Sequence, residues 1–511
     1  MHKLHKWQAE CLNIWANNNC RGIVNAITGS GKTMLALHAI SYLEMSQERQ
    51  LRVKIVVPQT FLASQWKEEI VRNLSAKPSE IGFFSGKRKN LGRKYTIYVI
   101  NSARYSLARH ILAELSQDRA VLLIADECHH YGSSENSRIF DFFPALKGNS
   151  PYFSLGLSAT PEIVNFNTIT RPLGREIYSY DLGRALKDRV ISKFFLFSIN
   201  LEFTKYEQSE YTQYSDELRK CMLTLKNIYP ELTGMPSALF FSHLNRLSNQ
   251  DSDNSQLAAR ALTLIYKRRT LSHMASNRSP CAVSIVNALP PSTRIILFCE
   301  RIEAASTLHD ELQTHYPNQI GLYHSKMPEN TRRDMLGNYK HGVFRLLICC
   351  KALDEGLNIP HTDAGIIVSS SLSSRQRIQR LGRILRYSKE IKRIYYMYIK
   401  QSSEDYELAR GISEFEYNIP IIKLDYLSDT FISSEYEKLR EKVIDYTINL
   451  RSDSALIDAI DRNLDIALLR GDFLLQETVC TERIQSSTTT NERNYWVCVL
   501  YIIFARLGKL G

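Results

Sequence analysis

None of the ten cysteines in this chain forms a C-x-x-C pair, so no zinc knuckle is visible. So loosely spaced a set suits a reducing cytoplasm in which the thiols stay free. Long hydrophobic runs are also missing. The longest, YWVCVLYIIFA at 495–505, falls short of the roughly 20 apolar residues that a membrane span needs. It reads instead as a buried helix or a docking face for a protein partner. The N-terminal MHKLHKWQAECL has basic residues but no continuous apolar stretch, which argues against a secretory signal. Low-complexity tracts are absent. Acidic charge is in deficit, with 53 Asp and Glu against 65 Lys and Arg, a formal net charge of +12. That balance favours phosphate-rich partners or an anionic surface without naming one. At 511 residues the chain exceeds one ordinary core, so a soluble, cytoplasmic protein of several domains is expected, with no membrane partner.

What is present is rhythm. From residue 22 to 160, short Val/Ile/Leu runs alternate with helical patterns: GIVNA, KIVVP, TIYVIN, VLLIAD and FSLGLSAT, each ending in polar residues. Such runs indicate parallel strands buried on both faces, a doubly wound α/β domain whose ligands bind at the carboxyl ends of the strands. The rhythm returns at RIILFCE, IGLYH, FRLLICC, AGIIVSS and RIYYMYI, predicting a second α/β domain. Between them, residues 203–282 read mainly as helices around a loop-like SNQDSDNSQ at 248–256, and after about 405 the pattern is helical again.

Three strand ends carry chemistry. AITGSGKT at 26–33 sits between a strand and a helix, where glycines let backbone amides turn inward onto phosphate oxygens. Thr28, Gly29, Ser30 and Gly31 form that cradle, Lys32 reaches the β- and γ-phosphates of a nucleotide, and Thr33 ligates Mg²⁺. The strict pattern starts with glycine, and here Ala26 stands in that place. IADECHH at 124–130 puts Asp126 on Mg²⁺ and lets Glu127 orient or deprotonate the attacking water. His129 and His130 lack a third ligand at suitable spacing and read as bridging polar residues. LSATP at 157–161 offers the small hydroxyls of Ser158 and Thr160 as links from the nucleotide site.

In order along the chain, WQ near the N-terminus, AITGSGKT, VVP…SQW, DECHH, LSATP, KALDEGLNIP and QRLGRILR resemble the motif series of superfamily-two helicases and translocases, including the DEAD/DEAH-box enzymes. The resemblance is nearest to the duplex-DNA branch of the XPB and UvsW type and to restriction-enzyme motors, and it covers about residues 4–400. It implies two RecA-like lobes with ATP between them. Residues 1–178 would form the first lobe, 179–202 the start of the second, 203–282 a helical insertion or linker, 283–405 the rest of the second lobe, and 406–511 a helical C-terminal region.

The resemblance also implies roles. Gln8 would read the adenine edge, Ser158 and Thr160 would couple the lobes, and Gly356 and Asn358 would face the nucleotide from the second lobe. The family commonly has aspartate where Asn358 stands, although an amide can still bond a ribose hydroxyl or an arginine. QRIQRLGRILR spaces Arg377, Arg380, Arg383 and Arg386 so that like charges crowd one helix face, at a cost of about 0.2–0.5 kcal/mol per pair. Arg383 and Arg386 align with arginines projected onto the γ-phosphate, where a finger is worth about 10³–10⁵ in rate.

Nucleic-acid contacts implied by the motifs are Pro58, Gln59, Thr60, Ser85, Gly86, Asn101 and Ser102, with His324, Ser325 and Lys351 in the second lobe. The basic run SGKRKNLGRK at 85–94 reads equally as a solvated loop or a further contact. The resulting expectation is an ATP-dependent helicase or translocase, on DNA rather than RNA, with a protein partner at the insertion or C-terminal region as a further expectation. Rival readings are a nucleic-acid-stimulated ATPase motor or sensor in a restriction or anti-phage assembly, a degenerate binding scaffold, and a phosphate-loop enzyme acting on small molecules.

Overall fold

The computed structural model of the chain describes residues 3–86, 88–159, 166–235, 237–250, 253–350, 362–370, 384, 387–405, 419–449 and 454–510. They fall into two compact units, one extending from the N-terminus to Lys193 and the other taking up the chain at Phe194.

The first unit is built on strands β1 (Arg21–Ala26), β2 (Leu51–Val57), β3 (Ile81–Ser85), β4 (Arg88–Lys89), β5 (Tyr95–Val99), β6 (Ala120–Ala125), β7 (Tyr152–Ser158) and β8 (Glu176–Tyr180). Their order is β4-β3-β5-β2-β6-β7-β1-β8. β3 and β4 pair antiparallel and the other neighbours pair parallel. Every residue of β5 and β6 is buried, as expected of a sheet covered by helices on both faces. The first unit extends past residue 178. β8 still belongs to its sheet, held by Trp7, which stacks on Tyr180 at 4.6 Å between ring centroids. The helix Leu182–Lys187 follows, capped where Asp181 accepts from the Arg184 amide.

The second unit holds β9 (Phe194–Leu201), β10 (Ile295–Cys299), β11 (Ile320–His324), β12 (Leu346–Cys350), β13 (Ala364–Ile367), β14 (Lys392–Ile399), β15 (Ile421–Leu427) and β16 (Thr430–Ile432), in the order β11-β12-β10-β13-β14-β9-β15-β16. The apolar runs read from the sequence supply β10 to β14. β15 and β16 correct the expectation of an all-helical region after 405. Ile422, Leu424 and Tyr426 are buried while Lys423 and Asp425 are exposed, a period of two that marks a half-covered strand. Ser428 and Asp429 make its two-residue hairpin turn, both at positive φ (47° and 64°).

The expected helical insertion forms around Lys205–Ile228, Ser237–Ser248 and Asp253–His273, packed through Leu218, Leu225, Leu244, Leu247 and Leu264. The loop expected at 248–256 is shorter than read, because the third helix begins at Asp253. Helices Ser434–Asn449, Ser454–Arg470, Glu477–Ser486 and Thr490–Leu507 close the chain. The apolar run at 495–505 forms a helix with one face turned inward: Tyr495, Cys498, Val499, Ile502, Ile503 and Ala505 are all buried. Among the described residues no helix is long and apolar enough to cross a membrane.

Candidate ATP site and its relatives

The phosphate loop begins where β1 ends. Gly29 and Gly31 lie at φ 87° and 95°, in the left-handed region that glycine enters without a Cβ penalty. A Cβ on Gly31 would also stand 2.6 Å from Gln8 Nε2. Ser30 Oγ donates to Ile27 O at 2.6 Å and tightens the turn, and Gly31 then leads into the helix Lys32–Ser46. The buried Lys32 Nζ donates to Ala26 O at 2.8 Å, so the ammonium is folded over its own loop. Thr28 Oγ1 is buried with no hydrogen-bond partner among the described residues, and Thr33 is half-buried at the first turn of the helix. An unsatisfied hydroxyl inside a loop of inward-curled backbone fits a phosphate group.

Gln8 sits on the helix Lys6–Asn17 and is 1% exposed. Its Nε2 donates to Gly31 O at 3.0 Å and its Oε1 accepts from the His5 amide at 2.7 Å. The structure thus sets Gln8 against the phosphate loop with both ends of its amide engaged.

β6 delivers the acidic pair. Asp126 Oδ2 accepts from the indole Nε1 of Trp66 at 2.8 Å, and Oδ1 accepts from the Glu127 amide at 3.1 Å. Burial, then the neighbouring Glu127 charge, pushes the Asp126 carboxyl above its ordinary range, while the Trp66 bond and the Lys32 charge pull it back. Glu127 occupies the left-handed region at φ 48° and ψ 49°, a conformation costly for a residue with a side chain and concentrated at functional sites. It starts the tight turn Cys128–Gly132. The buried Glu127 Oε2 takes no hydrogen bond among the described residues and lies 3.5 Å from His129 Nδ1. A carboxylate oxygen that takes no hydrogen bond suits a group that must accept a water proton.

His129 Nδ1 lies 3.1 Å from Ser158 Oγ, so the acidic loop is joined to the end of β7. β7 in turn lies beside β1 in a register that pairs Ser158 with Asn25. The Tyr131 hydroxyl lies 2.7 Å from Asp126 O and 3.1 Å from Val56 O. Trp66 and Tyr131 escaped the reading of the sequence. Trp66 lies in the quoted SQW, on the helix Thr60–Leu74, and a buried indole N–H needs an acceptor, which was the available signal.

Of the nucleic-acid candidates, three pairs or triplets stand at the ends of adjacent parallel strands: Ser85 closes β3 with Gly86 after it, Asn101 and Ser102 come after β5, and Pro58, Gln59 and Thr60 after β2. The Gly86 amide donates to Ser102 Oγ at 3.1 Å, and Gln59, Thr60, Gly86 and Asn101 are exposed. The start of the basic run lies in an edge pair of strands, since Arg88 and Lys89 pair with Ser85 and Phe84, and residues 90–94 follow as a loop. Lys94 Nζ is 2.7 Å from Glu44 Oε1, which engages that charge. In the second unit His324 ends β11 and Ser325 is exposed beside it. Thr160, Lys351, Gly356, Asn358, Arg377, Arg380, Arg383 and Arg386 lie outside the described residues.

Residues 1–163 match the family model "Type III restriction enzyme, res subunit", and residues 282–388 match "Helicase conserved C-terminal domain". The chain is a superfamily-two helicase or translocase.

Among its relatives, the DNA 3'-5' translocase XPB2 of Sulfurisphaera tokodaii is 26% identical over 414 residues, covering 80% of this chain and 84% of that protein. A putative DNA 3'-5' helicase Rad25 of Haloarcula marismortui is 21% identical over 393 residues, covering 75% of this chain and 51% of its own length. In fold, the Pyrococcus furiosus Hef helicase domain matches with a TM-score of 0.51 at 15% identity, covering 80% of this chain and 98% of that domain. S. cerevisiae Dbp5 bound to RNA and ADP BeF3 matches with a TM-score of 0.53 at 12% identity, covering 83% and 90%. The two sheets are accordingly RecA-like lobes, and this superfamily-two chain is a nucleic-acid-dependent ATP hydrolase.

Proposed function

We propose that this superfamily-two chain translocates along DNA, or opens it, through ATP hydrolysis at the loop 26–33 and the acidic pair Asp126–Glu127. The observation that carries the reading is that Glu127, whose buried Oε2 takes no hydrogen bond among the described residues, follows a strand of the same sheet as the strand that leads into the Lys32 loop. The names of the relatives, DNA 3'-5' translocase and helicase, support DNA as the track.

In this reading the amides of residues 28–33 hold the phosphates of ATP, and Lys32 exchanges Ala26 O for phosphate oxygens. Thr33 and Asp126 would hold Mg²⁺, which neutralises phosphate charge as a Lewis acid. Glu127 orients the attacking water and takes its proton. Trp66 fixes the Asp126 carboxylate from behind. Gln8, Gly356 and Asn358 are proposed to contact the nucleotide, and Arg383 and Arg386 to offset charge building on the γ-phosphate. Ser158, bonded to His129, is proposed to relay the state of the site as the two lobes open and close.

Pro58 to Thr60, Gly86 and Asn101 lie at the carboxyl ends of β2, β3 and β5, where amides and hydroxyls can grip a phosphate backbone with little sequence preference. Ser85, Ser102, His324, Ser325 and Lys351 are proposed to complete that track.

The test is displacement of a triplex strand from duplex DNA, and unwinding of a forked duplex, each with and without ATP. Displacement without unwinding identifies a translocase, and unwinding identifies a helicase. Neither, in protein whose ATPase DNA stimulates, favours the second reading, a motor subunit that needs a restriction or defence assembly, which the match of residues 1–163 supports.

A further inference from the structure

Asn136 stands between two parts of the first unit that the sequence motifs treat as separate. The short helix Ile100–Ala103 carries Asn101 and Ser102 and ends at Arg104, whose amide bonds back to Ile100 O. The Arg104 Nε donates to Asn136 Oδ1 at 2.8 Å. Asn136 Nδ2 donates to His130 O at 2.7 Å, and the His130 amide donates to Glu127 O at 3.0 Å. Three hydrogen bonds therefore run from the residue after the Asn101–Ser102 helix to the backbone of Glu127.

The polarity of each link is fixed. Arginine only donates and a carbonyl only accepts, so the group between them must accept at one end and donate at the other. An asparagine amide does both, and a flipped amide would satisfy neither. The surroundings hold this group in place. Asn136 opens the turn Asn136–Phe140, whose Ile139 and Phe140 share one apolar cluster with Ile100, Ala103, Cys128 and Tyr131. A close-packed cluster of this kind does not deform smoothly, so a shift of the 100–103 helix is passed to the turn that begins at Glu127. Glu127 is already held in a left-handed conformation, where a small rotation redirects its carboxylate.

We propose that Asn136, with Arg104, is a positioning residue that couples nucleic acid bound at Asn101 and Ser102 to the aim of the Glu127 carboxylate. This rests on the reading of residues 101 and 102 as a nucleic-acid contact given above. Among the described residues neither Arg104 nor Asn136 is hydrogen-bonded to the 26–33 loop or to the Asp126 and Glu127 side chains, so their work is to connect that site to the track.

Asn136→Asp tests this most cleanly. The two side chains have the same shape, and an aspartate still accepts from Arg104, but it cannot donate to His130 O. Arg104→Lys is the second variant, because it keeps the charge and loses the fixed Nε geometry. ATPase would be measured without polymer and with saturating duplex DNA, single-stranded DNA or RNA, alongside DNA affinity by fluorescence anisotropy. The expected result is unchanged hydrolysis without polymer, DNA affinity within about threefold of wild type, and stimulation reduced about fivefold or more, the lower range of site-to-site coupling. In a double-mutant cycle the combined variant should lose little more than either single one.

Full stimulation in both variants would overturn the proposal, and so would an equal loss of basal and stimulated rates, the mark of a merely structural contact. If wild-type protein responds to no polymer, the nucleic-acid reading itself fails and takes this coupling with it.

Discussion

The Trp66 indole donates to Asp126 Oδ2 at 2.8 Å across two elements, the helix Thr60–Leu74 and the end of β6. That helix starts at Thr60, directly after the proposed track residues Pro58 and Gln59. One buried bond therefore ties a proposed magnesium ligand to a segment at the carboxyl end of β2.

Trp66→Phe keeps an aromatic ring in place but loses the N–H donor together with part of the buried indole. A buried carboxylate deprived of a hydrogen bond costs about 1–3 kcal/mol, so the variant should melt lower. It should also need more Mg²⁺ for half-maximal ATPase. A magnesium titration that overlays that of wild type would refute the positioning role.

Gly31→Ala combines an unfavourable left-handed backbone, at φ 95°, with a Cβ 2.6 Å from Gln8 Nε2. The backbone penalty alone is about 1–2 kcal/mol. The KM for ATP should rise about tenfold or more while the rest of the unit stays folded, as judged by circular dichroism. Unchanged KM would mean that this loop does not hold the nucleotide.

Lys54 and Glu114 form a buried pair at 2.7 Å in the first unit, and Arg119 adds a second bond to the carboxylate at 2.7 Å. Burial holds the Lys54 pKa below its ordinary value, more than Glu114 restores. Burial also pushes the Glu114 carboxyl up, but its bonds from Lys54 and Arg119 outweigh that and hold it low. Removing the acid strands a buried ammonium, so Glu114→Gln should destabilise by about 3–5 kcal/mol. Lys54→Met should cost far less, because Glu114 keeps its arginine partner. Urea denaturation of the two variants tests the order. The Glu114 contribution is complete above the unfolded carboxylate pKa of about 4.3 and fades as acid titrates the folded group below it.

His273, at the end of the insertion, is pushed down to about 3 by burial and then by Arg278 and its neighbouring arginines. Once unfolded it regains a pKa of about 6.5 and takes up a proton that the folded chain refuses. Its effect is absent above about pH 6.5 and weakens the second unit as pH falls below that, by about 2 kcal/mol at pH 5. His273→Asn should flatten this acid slope in urea midpoints measured between pH 7.5 and 5. An undiminished slope would assign it to other groups.

Much of the molecule is legible in its sequence because buried parallel strands leave continuous apolar runs and the polar residues that follow mark their carboxyl ends. GIVNA and VLLIAD identified the strands whose ends lead into the Lys32 loop and into Asp126 and Glu127. What escaped is what only folding brings together. Trp66 and Asp126, like Arg104 and Asn136, are far apart in the chain, and no local pattern reports their hydrogen bonds. The hairpin of β15 and β16 was hidden for a different reason. Its turn uses Ser428 and Asp429 at positive φ, where an Asn-Gly or Asp-Gly signal would have marked it. The first unit reaches Lys193 rather than 178 because β8, a short strand without a continuous Val/Ile/Leu run, joins its sheet with Tyr178 and Tyr180 packing on Trp7.

The most direct test of the central claim is steady-state ATP hydrolysis by the purified chain, alone and with single-stranded DNA, duplex or forked DNA, and RNA. Glu127→Gln serves as the paired variant. The account predicts strong stimulation by DNA in wild type and a fall of about 100-fold or more in the variant, the contribution of a positioned general base. Equal hydrolysis by wild type and variant would contradict the assignment of Glu127, and so would the absence of DNA-stimulated hydrolysis from well-folded wild-type protein.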